Sequence, residues 1–201
     1  MNNMIITNVI PLDNKRGKVY IDGKYAFPLY LREISRFNIV IDRAVSEAEY
    51  DEIYNIVVRR IRERALYLLE AMPRTESNIR RKLMDNYYTE EYISPVIEEL
   101  KGYGYIDDRS YAYNYAISMS ENRGMSRKVI INKLFEKGID RDLIEEAVAI
   151  LPKDETELIN KALKKKGINF SDINNMEYKE RQKVYRYLNS KGFSTSCINM
   201  Y

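Results

Sequence analysis

Residues 75–100, TESNIRRKLMDNYYTEEYISPVIEEL, return in altered form as residues 126–151, SRKVIINKLFEKGIDRDLIEEAVAIL. A shift of 51 residues lays Thr75 on Ser126, Ile79 on Ile130, Lys82 on Lys133 and Leu83 on Leu134. The same shift lays Tyr92, Ile93, Val96, Ile97 and Leu100 on Leu143, Ile144, Ala147, Val148 and Leu151. Both quintets have the three- and four-residue spacing of one helix face, so two helices bury the same side. A further shift of 54 lays Arg181 on Arg127, Val184 on Ile130, Leu188 on Leu134, and Lys191-Gly192-Phe193 on Lys137-Gly138-Ile139. Self-similarity at such a period marks a repeat architecture, and here it makes three copies.

Each copy reads as three helices. First helices are expected at residues 64–71, 110–122 and 155–166, second helices at 76–86, 127–136 and 180–190, and third helices at 90–101 and 142–151. Thr75 and Ser126 suit N-caps, and glycine or asparagine near the second-helix ends suits left-handed C-caps. Pro95, inside the third helix of the first copy, is expected to kink that helix or delay its start to Ser94. The sequence stops at Tyr201, which leaves the third helix of the third copy at most about one turn.

The residues ahead of the repeats differ. Residues 5–10, 18–21 and 25–28 are β-branched or aromatic runs separated by turn residues. Asp22-Gly23 between Val19-Tyr20-Ile21 and Tyr25-Ala26-Phe27 is a strong hairpin signal. A short helix over 30–37 and an extended piece over 38–41 complete a small β-rich module, residues 1–45. Ser46-Glu47-Ala48-Glu49 fits a capping box. Tyr50, Tyr54, Val57, Ile61, Ala65, Leu68 and Met72 then recur at helical spacing, so one helix of roughly 37 Å runs from Glu47 to Ala71. The expected organisation is therefore a front module (1–45), a connecting helix that also opens the first repeat (46–72), the rest of repeat 1 (73–108), repeat 2 (109–152) and repeat 3 (153–201, third helix truncated). The fold class is mainly α, with tandem three-helix repeats in an elongated array behind the β-rich module.

Composition removes most enzyme classes. The 201 residues contain no histidine, which deletes Ser-His-Asp and Cys-His sites and Cys/His zinc sites together. No Gly-Lys-Ser/Thr triplet exists to cradle a nucleotide phosphate. Gly102-Tyr103-Gly104 reads as a helix C-cap and turn, and Asp107-Asp108 as the cap of the following helix rather than a cation site. No enzyme activity, metal or cofactor is expected. The single cysteine, Cys197, makes no intrachain disulfide and reads as a small packing residue. With no apolar run near 20 residues and no secretory leader pattern, a cytoplasmic protein without membrane contact is expected.

The formal net charge is only +3, but charge is sorted by repeat position. Second-helix segments carry +2 (residues 74–87), +4 (123–137) and +4 (179–191), whereas third-helix segments 89–101 and 139–151 carry −3 each. Stacked repeats would space their basic second helices regularly, as a polyanion spaces its phosphates. Against this, lysine and arginine also serve as the solvated side of any helix, and the bases of the second copy do not keep to one arc of the wheel. Of the 18 tyrosines, Tyr50, Tyr54, Tyr92, Tyr111 and Tyr115 fall at core positions, while Tyr87, Tyr88, Tyr103 and Tyr105 near helix ends are the candidates for exposed stacking.

These residues carry a resemblance. Ala65-Leu66, Arg74-x-x-Ser77-x-x-x-Arg81-Lys82-Leu83, Leu100-x-x-x-Gly104-Tyr105-Ile106-Asp107-Asp108-x-x-Tyr111-Ala112 and Gly124-x-Ser126-x-x-x-Ile130-x-x-x-Leu134-x-x-Lys137-Gly138-Ile139 resemble the RecX family of recombination regulators. The match runs from about Ala65 to Ile198, and Gly23-Lys24-Tyr25-Ala26-Phe27 is similar to the extension of longer members. The resemblance implies tandem three-helix repeats and a cytoplasmic protein of DNA repair and the SOS response. It implies binding to the RecA recombinase filament, inhibition of its ATPase and strand exchange, and contact with single-stranded and double-stranded DNA. A monomer is expected. The expected DNA or filament contacts are Arg80, Arg81, Lys82, Arg127, Lys128, Lys133, Arg181, Lys183 and Arg186. Two other classes fit the same pattern: a transcriptional regulator that sets helix-turn-helix-like repeats on duplex DNA, and a protein-only scaffold that uses the acidic third helices.

Overall fold

The hairpin forms where the Asp-Gly dipeptide places it. In a computed structural model, which describes residues 4–194, Asp22 (φ 49°) and Gly23 (φ 78°) make the two-residue turn between β2 (Arg16–Ile21) and β3 (Lys24–Tyr30). Positive φ at both residues is what matches the turn to the right-handed twist of the strands. β1 (Met4–Pro11) pairs antiparallel with β2 on one side and with β4 (Ala44–Val45) on the other, giving the order β3-β2-β1-β4. α1 (Leu31–Arg36) follows β3 directly, and the Glu33 carboxylate accepts the Tyr30 N–H at 2.8 Å.

Residues 38–41 are not the extended piece that their apolar character suggested. Asn38 (φ 47°) and Asp42 (φ 65°) both adopt the left-handed conformation, which short polar side chains tolerate. The chain therefore turns twice, drops Ile39 into the core, leaves Val40 and Ile41 exposed, and pairs only at Ala44–Val45.

α2 (Glu47–Ala71) has the expected bounds and its capping box: the Ser46 hydroxyl accepts the Glu49 N–H, and the Glu49 carboxylate accepts the Ser46 N–H at 3.2 Å. Its buried stripe is Ile53, Val57, Ile61, Ala65 and Leu68. Tyr50 and Tyr54 flank that stripe half-buried, and Met72 lies past the helix end and exposed. At the centre sits Tyr92, 1% exposed, whose ring meets Phe27 edge-on at 5.9 Å and Tyr54 at 5.2 Å, and whose hydroxyl bonds that of Tyr50 at 2.8 Å. Sheet, α2, α3 (Glu76–Met84) and α4 (Glu90–Gly102) thus share one core. α4 starts at Glu90 and runs through Pro95 without a delayed start.

The second compact unit begins at Asp107. Repeat 2 comprises α5 (Asp108–Glu121), α6 (Arg127–Glu136) and α7 (Arg141–Ala149) around their own core, centred on Ala112, Ala116, Ile130, Leu134, Ile144 and Val148. Repeat 3 has α8 (Glu155–Lys164) and α9 (Tyr178–Ser190), joined through a 3-10 helix (Phe170–Asn175) that buries Ile173 and has no counterpart in the other repeats. Its core is the set Leu158, Ile159, Ala162, Leu163, Val184, Leu188 and Phe193. The third helix expected for repeat 3, and Cys197, lie outside the described residues.

Five helices, α2, α3, α5, α6 and α8, start on a side-chain cap, whereas α4, α7 and α9 have none. Thr75, Asp107 and Ser126 accept the N–H groups of Asn78, Ser110 and Val129, so Asp107-Asp108 is a cap. Repeats 2 and 3 are closed on each other by backbone: Ser126 N–H donates to Lys191 C=O at 2.9 Å. A Cβ on Gly192 (φ 89°) would lie 2.2 Å from Val129 Cγ2, and one on Gly124 2.9 Å from the Ala162 Cα. Gly23 has nothing within 4 Å of that position. Gly192→Ala combines overpacking with a left-handed strain and is expected to destabilise the protein by about 3–5 kcal/mol. Gly23→Ala carries the backbone strain alone and is expected to cost about 1–2 kcal/mol. Urea unfolding of the two variants checks the difference, and equal losses would contradict the close approach at Gly192.

Candidate nucleic-acid and filament contact surface

The basic residues of the second helices do not share one environment. On α3, Arg80 is half-buried and faces α4. Its Nε donates to Glu76 at 2.7 Å, its guanidinium meets Glu90 and donates to the Ser94 hydroxyl at 3.0 Å, and Glu98 lies 3.9 Å away. Lys101 adds contacts to Glu76 at 3.0 Å and Glu98 at 3.3 Å. Burial pushes the Glu76 carboxyl up, but hydrogen bonds from Arg80 and Lys101 outweigh it and hold that carboxyl below the usual range. Arg62 on α2 grips Glu99 on α4 with two nitrogens, Nε at 3.0 Å and Nη2 at 2.6 Å. In repeat 1, therefore, much of the charge sorted between second and third helix is an internal ion network that fastens α4 to α2 and α3.

Arg81 is exposed and Lys82 half-buried, and among the described residues no carboxylate pairs with either. α6 is more open. Lys128 is exposed and Lys133 half-buried, neither with an ion pair among the described residues, and Arg127 touches only the Leu151 carbonyl, at 3.4 Å. Two of the three acids of α7 are engaged elsewhere: Glu146 with Arg109 of α5 at 2.8 Å, and Glu145 with Arg141 of its own helix at 2.9 Å. On α9, Lys183 and Arg186 are exposed and Arg181 is half-buried, and Arg186 reaches only the Gln182 carbonyl, at 3.3 Å. The nine expected contact residues thus divide into one structural cation, Arg80, and eight with no acid partner among the described residues.

The division shows in the charge of the two units. The chain up to Ile106 has 16 Lys and Arg against 16 Asp and Glu, and from Asp107 it has 17 against 14. All of the net +3 belongs to the second unit.

Ends of second helices bring lysine onto tyrosine rings. Lys137 lies 5.0 Å from the Tyr115 centroid and 5.8 Å from that of Tyr111. Lys191 and Lys166 lie 5.5 and 5.4 Å from Tyr187. Of the four tyrosines expected to be exposed, Tyr87 (42%), Tyr103 (73%) and Tyr105 (58%) are, whereas Tyr88 is buried beside Arg60 and Tyr30. Tyr67, Tyr113 and Tyr178 are exposed as well and carried no sequence signal, because they sit at ordinary helical positions. Among the described residues no group of three acids, histidines or cysteines is placed to hold a metal, and no helix is long and apolar enough to cross a membrane.

Three family models match in tandem: the first three-helix domain of RecX over residues 62–100, the second over 107–148 and the third over 153–201. The regulatory protein RecX of Clostridium botulinum (strain Alaska E43 / Type E3) is 30% identical over 188 residues, 92% of this chain and 88% of that protein. The regulatory protein RecX of Bacillus velezensis is 31% identical over 189 residues, 93% of this chain and 71% of that protein. A crystal structure of a regulatory protein RecX superposes with a TM-score of 0.59 at 29% identity and covers 98% of both chains. That of RecX from Lactobacillus salivarius gives 0.58 at 28% identity over 71% of this chain and 92% of that one. With each repeat matched by its own domain and the likeness running through the front sheet as well, the chain belongs to the RecX family of regulatory proteins.

Proposed function

We propose that this protein regulates homologous recombination by binding the RecA-type recombinase filament on DNA and inhibiting its ATP hydrolysis and strand exchange. The reading is carried by one observation: the same repeat position, the second helix, presents cations that have no acid partner among the described residues in all three repeats, most openly on α6 and α9. An ion pair within the protein leaves little field for a partner, whereas an unpaired cation keeps its full attraction for phosphate or for an acidic protein face. Family membership supports the class of activity. The contacts are Arg81 and Lys82 on α3, Arg127, Lys128 and Lys133 on α6, and Arg181, Lys183 and Arg186 on α9. Arg80 is taken up by the ion network between α3 and α4 and is not among the contacts.

The test is ATP hydrolysis by a recombinase preassembled on excess single-stranded DNA, titrated with this protein well below one per recombinase subunit. Inhibition is expected at those ratios. Reversing charge at Arg127, Lys128 and Lys133 together is expected to raise the concentration needed for half inhibition by at least about tenfold, with circular dichroism unchanged. Retained inhibition would remove α6 from the contact surface, and a discrete footprint on duplex DNA without any effect on the recombinase would favour the transcriptional alternative. Arg80→Ala is expected to behave oppositely. It removes the guanidinium from Glu76 and Glu90, which keep Lys101 and the Ser94 hydroxyl, so unfolding free energy falls by about 1–3 kcal/mol while inhibition per folded molecule stays near that of the parent.

A further inference from the structure

Each repeat ends its second helix with a residue in the left-handed conformation, and the three differ in kind. In repeats 2 and 3 that residue is glycine, Gly138 (φ 76°) and Gly192 (φ 89°). In repeat 1 the equivalent position holds Tyr87 (φ 68°). A tyrosine there bears a steric penalty that glycine does not. Core packing does not offset it, because the side chain is 42% exposed. Strain that persists at an exposed position, where the other repeats show that no side chain is required, points to a use for the side chain.

The front hairpin holds this tyrosine in place. The Tyr25 hydroxyl donates to the Tyr87 carbonyl at 2.5 Å, and Lys18 Nζ lies 4.5 Å from the Tyr87 centroid and 6.0 Å from that of Tyr25. Tyr20, opposite Tyr25 across the hairpin, has its ring 5.5 Å from it. Burial pushes the Tyr25 hydroxyl well above the usual tyrosine range, so it stays a donor to Tyr87 at any physiological pH. Lys18 has no ion pair among the described residues, and Arg81 and Lys82 lie in the last turn of α3, immediately before the Tyr87 turn. Three aromatic rings fixed beside unpaired cations match a base-bearing polyanion, since bases stack on tyrosine and phosphates take the ammonium and guanidinium groups.

We propose that Lys18, Tyr20, Tyr25 and Tyr87 form a stacking site for single-stranded nucleic acid, built by the front hairpin on the first repeat. A duplex keeps its bases stacked on one another, so only a single strand has faces to offer these rings. The site extends the basic end of α3 and belongs to the first unit, whereas the cations that carry the filament reading are mainly those of the second.

Binding of a fluorescein-labelled 20-nucleotide oligothymidylate by the full chain, without recombinase, tests this. Tyr87→Gly removes the ring and relieves the backbone, so the melting temperature is expected to stay level or rise while affinity falls at least about fivefold. Lys18→Gln is expected to reduce the slope of log affinity against log salt by about 0.7, the value for one phosphate contact on a single strand. The site is overturned by any of four results: no salt-dependent binding by the parent, affinity of Tyr87→Gly within twofold of it, a loss matched by a lower melting temperature, or an equal loss on a 20-base-pair duplex. If reversal at Arg127, Lys128 and Lys133 weakens recombinase inhibition while Tyr87→Gly leaves oligothymidylate binding intact, this site fails and the filament reading stands. If the parent does not inhibit the recombinase yet Tyr87→Gly still loses oligothymidylate binding, the filament reading fails alone.

Discussion

The first half of the molecule depends on one stripe of side chains, Ile53, Val57, Ile61, Ala65 and Leu68 on α2. A helix of 25 residues has low intrinsic stability in water, and what fixes it is the burial of an apolar face. At about 1.5–3 kcal/mol for each fully buried large aliphatic side chain, this stripe outweighs any surface pair on the same helix. Because the stripe runs most of the length of α2, the front of the helix packs under the sheet and the back packs on α3 and α4. Tyr92 closes the middle, with Phe27 of β3 on one side and Tyr50 and Tyr54 of α2 on the other. The hairpin is therefore seated on the first repeat as part of its core, and that seating allows Tyr25 and Lys18 to reach Tyr87.

The repeats are punctuated by two local devices, a capping side-chain oxygen before the second helices of repeats 1 and 2 and a left-handed residue after the second helix of all three. Thr75 and Ser126 supply the oxygen and are themselves buried, so each hydroxyl stands in for a protein–water bond that the fold has removed. A sharp stop after the second helix lets the chain reverse, and the next residue, Tyr88, Ile139 or Phe193, drops into the core of its repeat. Gly192 does more than turn the chain. It allows the end of α9 to lie against the start of α6, where Lys191 C=O accepts the Ser126 N–H.

Local signals were the legible part of the sequence. The Asp22-Gly23 turn, the capping box at Ser46, the Glu47–Ala71 helix and the 51- and 54-residue shifts all follow from residues within a few positions of one another or from plain periodicity. Signals that depend on distant partners were not legible. Residues 38–41 look extended by composition, yet Asn38 and Asp42 bend them, and the only strand pairing falls at Ala44–Val45. Pro95 argued for a kink or a later helix start, and the later start does not occur: α4 runs from Glu90 with Tyr92 and Ile93 already in the core before the proline. The expected contact surface was legible in the same uneven way. Which residues are basic is written in the sequence, but that Arg80 faces Glu76, Glu90 and Glu98 while Lys128 faces none of them depends on how α3 and α4 pack.

That distinction separates charge that folds the protein from charge available to a partner. The +2 and −3 segments of repeat 1 meet inside the repeat, through Arg80, Lys101 and their glutamates, and the first unit is neutral as a whole. In repeat 2 Glu146 and Glu145 of α7 turn to Arg109 and Arg141, and the expected contact cations of α6 have no ion pair among the described residues. The excess positive charge consequently gathers in the unit whose repeats lack an Arg80-like clamp. Exposed ion pairs contribute little to stability and are screened within about 8–10 Å by salt, so these cations are poorly explained as fold-stabilising groups. A long-range field of one sign is effective for drawing in a polyanion, whereas stacking on tyrosine acts only at contact. A cation with no internal partner is thus suited to attraction at a distance, and a fixed aromatic ring to holding a base at contact.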